Sequence, residues 1–376
     1  MRRRWINWRP EASFTSTAST SATVWKSRLE RRVRTIREKD ELERCRLRIE
    51  AADALRYENP QAALTEALAA RDATADLDRA LTGDGPWLRA QALAWGVLAS
   101  AFRNTGDLNR AESSLVVALT FLADAPEERC TLGSRLTLRA AYLRCDQGRF
   151  DEALELNREA VEGFRAAQDE HLVGCALLDR ALVFHRSGRT ERAIQILAQA
   201  VDSIDRERDP RCYLAAVHNM AVYLQRIART EEDMEEALHW LRLAMAEHEQ
   251  TPERIHLLKL RSLAALCRAG LDQGGRERAR FRAELLAVRD EFRDLGATAH
   301  EAVILLHQAQ LAVEDGDEEE LDRLAGEVFS LASRLPKDDA ARESLLGFHA
   351  ACRRRAVTRT MLTRAVARIE DRRPRI

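Results

Sequence analysis

The chain of 376 residues contains few of the residues that interrupt helices and no long apolar run. Its 16 Gly and 8 Pro are few for an all-β protein with many turns. No stretch approaches the roughly 18 uncharged apolar residues of a membrane-spanning helix, so we expect no membrane insertion. Lys and Arg total 60 against 61 Asp and Glu, and this balance argues against a general nucleic-acid-binding protein. Hydrophobic residues make up 45% of the chain, which is enough for a large core.

The seven cysteines contain no CxxC pair and are scattered through helical patterns. Their odd number and spacing favour neither a disulfide framework nor a zinc site. We expect reduced thiols that pack as small hydrophobic side chains in a cytoplasmic protein. The chain also lacks the glycine loops that bind phosphate, the HExxH metal motif and the GxSxG nucleophile motif. The sequence therefore predicts a protein that is not an enzyme, with no catalytic residue, no metal site and no cofactor.

Basic residues are concentrated at the two ends of the chain. Residues 1–37 carry ten Lys and Arg against two acidic residues, and residues 352–376 carry nine against two. Residues 11–24 are rich in Ser, Thr and Ala without helical periodicity. We expect a disordered basic tail over 1–25, a helical domain over 26–336 and a basic amphipathic cap over 337–376. Nucleic-acid binding by the basic ends stays open as an alternative to solvated surfaces.

One motif recurs along the chain: an apolar helix, a short turn and a second helix. Five prolines fall in the joints between successive copies, and Pro86 and Pro210 are two of them. A single helical hairpin cannot bury its apolar face, whereas stacked hairpins share a continuous core. The sequence predicts an all-α, right-handed α-solenoid of about seven hairpins with terminal capping helices. The residues that open the second helices lie 40 to 48 positions apart, at Ala63, Ala111, Ala153, Ala193, Ala237, Ala279 and Leu321.

The segment from Trp95 to Ala118 resembles the tetratricopeptide repeat. It reproduces the pattern W-x3-[AG]-x2-[YF]-x3-G-x-[YFL]-x2-A-x3-[FL]-x2-A through Trp95, Ala99, Phe102, Gly106, Leu108, Ala111, Leu115 and Ala118. The resemblance extends over residues 41–335 and is strongest over 90–250. Its period of about 42 residues, against the usual ~34, resembles the long-helix repeats of kinesin light chain and of bacterial signalling proteins. The resemblance implies a scaffold that binds a protein or peptide partner without catalysis of its own.

In that family the first helices of the hairpins line a concave groove, and their unpacked polar residues are the candidate binding residues. Helical spacing selects twelve of them. They are Arg103, Asn104, Arg139, Tyr142, Asp179, His185, Arg186, His218, Asn219, Gln225, Arg226 and Arg268. This strip suits an extended peptide, because Asn and Gln hydrogen-bond its backbone and Arg binds its carboxylates. Arg139, Arg186, Asn219 and Arg226 are the strongest candidates.

The predicted function is a non-catalytic scaffold or adaptor that binds a protein segment or peptide in the groove. The chain has 56 Arg and only 4 Lys, which suggests a GC-rich bacterial genome. The alternative is a sensor or regulatory subunit of a bacterial signalling or transcription-control system. Residues 1–60 show no convincing helix-turn-helix, which argues against direct DNA binding. A homodimer stays open.

Overall fold

The computed structural model describes residues 41–55, 59–77, 84–124, 129–249, 254–272, 275–335 and 340–371. The basic tail predicted over 1–25 lies outside the described residues, as do residues 26–40 and 372–376. No helix within the described ranges is both long enough and apolar enough to cross a membrane.

The described residues form sixteen α-helices and no strand. In chain order they are α1 (Glu41–Leu55), α2 (Pro60–Ala75), α3 (Asp84–Asn104), α4 (Leu108–Ala123), α5 (Ser134–Asp146), α6 (Phe150–Ala166), α7 (Glu170–Arg186), α8 (Thr190–Ser203), α9 (Pro210–Ile227), α10 (Glu231–His248), α11 (Arg254–Leu271), α12 (Arg278–Asp294), α13 (Thr298–Asp315), α14 (Glu318–Ser333), α15 (Ala340–Arg353) and α16 (Arg359–Asp371). A short π-helical turn, Arg129–Gly133, precedes α5.

Helices α1 to α14 pair in sequence into seven hairpins. Each first helix also packs against the second helix of the hairpin before it and against the first helix of the next hairpin. The first helices therefore form one layer of the solenoid. The predicted all-α repeat fold is confirmed. Residues 41–55 are the first helix of the first hairpin, so this part of the chain is a repeat element.

Small residues lie where the two helices of a hairpin approach most closely. Ala63, Ala111, Ala153, Ala193 and Ala237 are at most 1% exposed, as the repeat predicts. Ala279 opens the second helix of the sixth hairpin as the repeat predicts, but this residue is exposed. Helix α12 begins at Arg278, and Phe281, two residues further on, is buried in its place. Leu321 in the seventh hairpin is half-buried.

The turns inside the hairpins repeat one backbone geometry. Gly106, Gly148 and Gly188 have φ angles of 87°, 76° and 82°, a left-handed conformation that glycine adopts without strain. At each turn the next residue donates its N–H across the end of the helix, as Arg189 does to the carbonyl of Phe184.

The fifth hairpin has no such glycine. Its turn is short and ends in a capping box formed by Thr230 and Asp233. Ala221 and Ala237 are four residues further apart than the corresponding alanines of the second, third and fourth hairpins. The sequence predicts these extra residues in a longer turn within 228–236, but three of them lengthen the start of α10 and one lengthens the end of α9.

The last helix departs from the repeat. Instead of joining the layer of second helices, α16 packs on α13 and α15, which are both first helices. Its apolar residues Leu362, Val366 and Ile369 are buried in the core that α13 shares with α14 and α15. Helix α16 therefore covers the first-helix layer at the C-terminal end of the solenoid.

Two glycines test the close packing of helices. A Cβ atom added to Gly174 in α7 would lie 2.8 Å from the backbone nitrogen of Ile204 and 2.9 Å from the carbonyl carbon of Ser203. We expect Gly174→Ala to lower the free energy of unfolding by about 1–3 kcal/mol, because the end of α8 must move. Gly326→Ala in α14 is the control, since its added Cβ meets nothing within 4 Å. The free energy of unfolding of the control variant should rise by about 0.5–1 kcal/mol. Urea denaturation measures both, and equal stabilities of the two variants would contradict the close approach.

Candidate functional site

Polar side chains on the first helices contact one another from hairpin to hairpin. We call this set the polar ladder. It consists of Asp53, Arg103, Arg139, Tyr142, Asp146, Asp179, His185, Arg186, Tyr223 and Arg226. Seven of the twelve residues predicted from the sequence belong to it.

Asp146 of α5 is the centre of the ladder. Its carboxylate accepts a hydrogen bond from Arg103 of α3 at 2.7 Å and another from Arg186 of α7. These three side chains are only 15–25% exposed. Burial opposes the charge of Arg186, but the bond to Asp146 and the interactions with Cys145 and the charge of Asp146 together outweigh it and raise the pKa of the guanidinium. Two guanidinium groups share one carboxylate, so these three side chains together carry one net positive charge.

One ion pair of the ladder joins first helices that are two hairpins apart. Arg139 of α5 donates to Ser100 of α3 and forms an ion pair with Asp53 of α1 at 3.1 Å. Tyr142, also on α5, donates its hydroxyl to the carboxylate of Asp179 on α7. These contacts hold neighbouring first helices in one arrangement.

His185 connects the ladder to α9. Its ring stacks on Tyr223 with a centroid separation of 3.9 Å, and its Nε2 accepts from Arg226 at 2.9 Å. Because Nε2 accepts, the neutral ring carries its proton on Nδ1, which lies 3.2 Å from the hydroxyl of Thr190. The position of Arg226 at the exposed end of the ladder makes it accessible to a ligand.

The other predicted residues lie beside or away from the ladder. Asn104 accepts a hydrogen bond from Arg103 at 2.7 Å, and Asn219 and Gln225 are half-buried on α9. Arg268 differs from the expectation, because its guanidinium contacts Glu284 on α12, the second helix of its own hairpin.

His218 also differs, because it packs between hairpins. Its ring lies 5.5 Å from those of His248 on α10 and His256 on α11. Burial, followed by the neighbouring His256, holds the pKa of His218 well below its ordinary value. Burial also lowers the pKa of His248 to about 4 and that of His256 to about 3, with Lys259 and His248 adding to the effect on His256. The three rings form a neutral packing cluster at pH 7.

The sequence interpretation identified the cations of the strip and missed their anionic partners. Asp146 was overlooked although it stands two residues before the turn glycine, the position that Asn104 and Arg186 occupy in the neighbouring repeats. Alignment of the repeats would have placed Asp146 between Asn104 and Arg186 and beside Arg103. The pairing with Asp53 had no comparable signal, because it depends on the curvature of the solenoid.

One group within the described residues brings metal-ligating atoms together. The ligand atoms of His171, Cys175 and Asp209 all lie within 4.8 Å of one another. The sulfur of Cys212 lies 2.9 Å from that of Cys175. Cys175 is one helical turn before Asp179, so this group borders the ladder. The sequence predicts that these cysteines pack as small hydrophobic side chains. The spacing of His171 and Cys175, four residues apart on α7, was the available indication that the two side chains are neighbours.

A wide cleft of about 500 Å³ lies away from the ladder, between the first two hairpins. Trp87, Trp95 and Phe121 line it together with Arg71. Trp87 meets Phe121 edge to face at a centroid distance of 5.6 Å. This contact joins α3 and α4, the two helices of the second hairpin.

The comparisons with known proteins agree with this architecture. The tetratricopeptide repeat family model matches residues 134–205, which correspond to α5 to α8. A crystal structure of a Rap protein complexed with competence and sporulation factor is similar in fold, with a TM-score of 0.55 and 14% identity. The match covers 86% of this chain and 89% of that one. The predicted resemblance is confirmed.

Two further solved structures show weaker likeness. BtubC from P. vanneervenii has a TM-score of 0.44 and 20% identity, over 68% of this chain and 91% of that one. The putative kinesin light chain repeats of Podosopora anserina have a TM-score of 0.40 and 18% identity, over 57% and 100%. No curated protein sequence matches this chain.

Asp146 offers a test of the ladder. We expect Asp146→Asn to lower the free energy of unfolding by about 1–3 kcal/mol, because two largely buried guanidinium groups lose their anion. Asp151→Asn is the control, since Asp151 is 95% exposed and its ion pair with Arg189 spans 3.5 Å. The control should change stability by less than about 0.5 kcal/mol. Urea denaturation measures the free energy of unfolding of both variants. An equal loss of stability in the two variants would contradict the central position of Asp146.

The histidine cluster predicts a pH dependence of stability. Because His248 and His256 have lower pKa values in the folded protein than in the unfolded chain, the unfolded chain binds more protons below about pH 6.5. Stability should fall as the pH drops from about 6.5 towards 4. The variant His248→Phe with His256→Phe should show a smaller slope than the parent protein. Denaturation at a series of pH values measures this, and an unchanged slope would contradict the neutral cluster.

Proposed function

Because this chain is a tetratricopeptide-repeat protein, we propose that it is a binding scaffold that holds an extended protein segment or peptide along the polar ladder. The proposal assigns no catalysis to the chain. It also includes the bacterial cytoplasmic setting that the Arg-rich composition suggests.

The pair of guanidinium groups on Asp146 is the observation that carries the proposal. Arg103 and Arg186 are oriented by a shared carboxylate, so a ligand carboxylate meets them without a further ordering cost. A bidentate contact between a guanidinium and a carboxylate is among the stronger polar interactions. This arrangement favours a ligand with an acidic side chain or a free C-terminus near α5.

The length of the ladder limits the size of the ligand. The candidate binding residues of the ladder lie on the first helices α3, α5, α7 and α9, which contact one another in series. With packed helices about 8–10 Å apart, the three steps span ~24–30 Å. An extended chain covers this distance with about seven to nine residues. The half-buried amides of Asn219 and Gln225 lie at the far end, where they suit the ligand backbone.

The aromatic groups of the ladder would provide the selectivity. The rings of Tyr142 and His185 are held by Asp179 and Arg226, so each presents a fixed edge to a ligand side chain. The similar Rap fold was solved in complex with a factor, which supports a binding function for this architecture. At 14% identity that likeness concerns the fold, and the binding residues proposed here rest on the ladder itself.

Selection of peptides on the full chain tests the proposal. A displayed library of random peptides of about nine residues is selected on the protein, and the enriched peptides are measured by fluorescence polarisation. We expect Arg226→Glu with Asn219→Ala to weaken binding at least about tenfold, because both contacts lie at the accessible end of the ladder.

The control replaces an arginine on another surface. Arg158→Glu lies on α6, where Arg158 pairs with Glu155 and Glu162 of its own helix. Circular dichroism confirms that each variant keeps its helices. Peptides that bind the double variant and the control equally would place binding elsewhere, and a library without enriched peptides would contradict a peptide ligand.

A further inference from the structure

Two cysteines on neighbouring first helices form a thiol pair. Cys175 lies on α7 and Cys212 on α9, in successive hairpins, and their sulfur atoms are 2.9 Å apart. Both residues are half-buried, so small molecules in solvent can reach the pair. The thiol of Cys212 donates to the sulfur of Cys175. This hydrogen bond, together with burial, raises the pKa of Cys212.

His171 provides a second donor to the same sulfur. Its Nδ1 accepts from the backbone N–H of Asp205 at 3.2 Å, so the neutral ring carries its proton on Nε2. Nε2 lies 3.6 Å from the sulfur of Cys175. Burial lowers the pKa of His171, which keeps the ring neutral at pH 7. Two hydrogen-bond donors therefore converge on the sulfur of Cys175.

The geometry favours a reactive thiol pair over a metal site. His171, Cys175 and Asp209 would offer a nitrogen, a sulfur and an oxygen to zinc. However, Cys212 would not fit as a fourth ligand, because two thiolates bound to a tetrahedral zinc at about 2.3 Å lie ~3.7 Å apart, well beyond the 2.9 Å between the sulfurs of Cys175 and Cys212. In addition, the proton on Nε2 of His171 occupies the lone pair that a metal would need.

We propose that Cys175 and Cys212 are an oxidation site at which a hydroperoxide converts the two thiols into a disulfide between α7 and α9. The thiolate of Cys175 attacks a peroxide oxygen, the O–O bond breaks, and the leaving hydroxide takes a proton to become water, or an alcohol where the peroxide is organic. The resulting sulfenic acid is attacked by the sulfur of Cys212, and its oxygen leaves as water with the proton of that thiol. Two thiols lose two electrons and two protons, and the peroxide is reduced.

The position of the pair connects this chemistry to the first-helix layer. Cys175 is one turn before Asp179, which accepts the hydroxyl of Tyr142 in the ladder. A covalent bond between α7 and α9 would hold these two helices together beside the ladder. The inference rests on the thiols alone and does not depend on the proposed peptide binding.

Peroxide treatment of the full chain tests the site. The protein is reduced, freed of reductant, treated with hydrogen peroxide, alkylated with N-ethylmaleimide and digested without reduction. We expect one disulfide that joins the peptides containing Cys175 and Cys212, and its reversal by dithiothreitol. In Cys212→Ser, dimedone should label Cys175 as a sulfenic acid, because the second thiol is missing. In Cys175→Ser, Cys212 should stay reduced.

Two further variants separate chemistry from folding. Cys267→Ser removes a buried cysteine on α11 and should oxidise like the parent protein. His171→Asn should slow disulfide formation about tenfold, because the sulfur of Cys175 loses a donor, while circular dichroism shows unchanged helicity. An unchanged rate would contradict the assigned role of His171.

Three results would overturn the oxidation site. The first is that both thiols stay open to alkylation after peroxide treatment. The second is that Cys175 or Cys212 forms disulfides mainly with other cysteines. The third is that the purified protein holds one equivalent of zinc that Cys175→Ser releases, since that result would assign the same side chains to a metal.

Discussion

The close approach of helices at small residues is the constraint on which the rest of the structure depends. Ala63, Ala111, Ala153, Ala193 and Ala237 are almost completely buried, so each pair of helices meets with little between the two backbones. The end of α8 lies against Gly174 at a distance that no larger residue fits. Because packed interiors resist changes of volume, this spacing determines where the first helices lie. Their layer then decides which polar side chains can meet.

Ion pairs connect the acidic run at 314–320 with basic residues before and after it in the sequence. This run joins the end of α13 to the start of α14. Asp315 and Asp317 bind Arg282 of α12, and Glu314 and Glu318 bind Arg359 and Arg355 near the C-terminus. The basic C-terminal segment and the acidic run are thus partners within one chain. The same principle operates in the ladder, where Asp146 neutralises part of the charge of Arg103 and Arg186.

The ladder and the thiol pair are two uses of one surface. Both connect first helices of successive hairpins, and Cys175 and Asp179 stand one turn apart on α7. A solenoid offers this arrangement because each hairpin touches mainly its neighbours, so a side chain at one register meets its counterpart in the next repeat. At the C-terminal end the surface is covered by α16, whose apolar side packs on α13 and α15. The accessible part of the layer therefore lies over the earlier hairpins.

The amino-acid sequence by itself determined the helices, the hairpin turns and the repeat register over most of the chain, because these depend on local periodicity and on residues such as Gly106 and Gly188. It did not reveal that in the sixth hairpin Phe281, and not Ala279, is the buried residue near the start of the second helix, because the turn before α12 is longer than in the other hairpins. It also identified the arginines of the first helices but not what they bind. Only the tertiary structure decided that Arg139 meets Asp53, that His218 joins a buried histidine cluster and that Cys175 meets Cys212. These contacts join residues 30 to 86 positions apart, and their distances follow from the curvature of the packed layer, which no local pattern encodes.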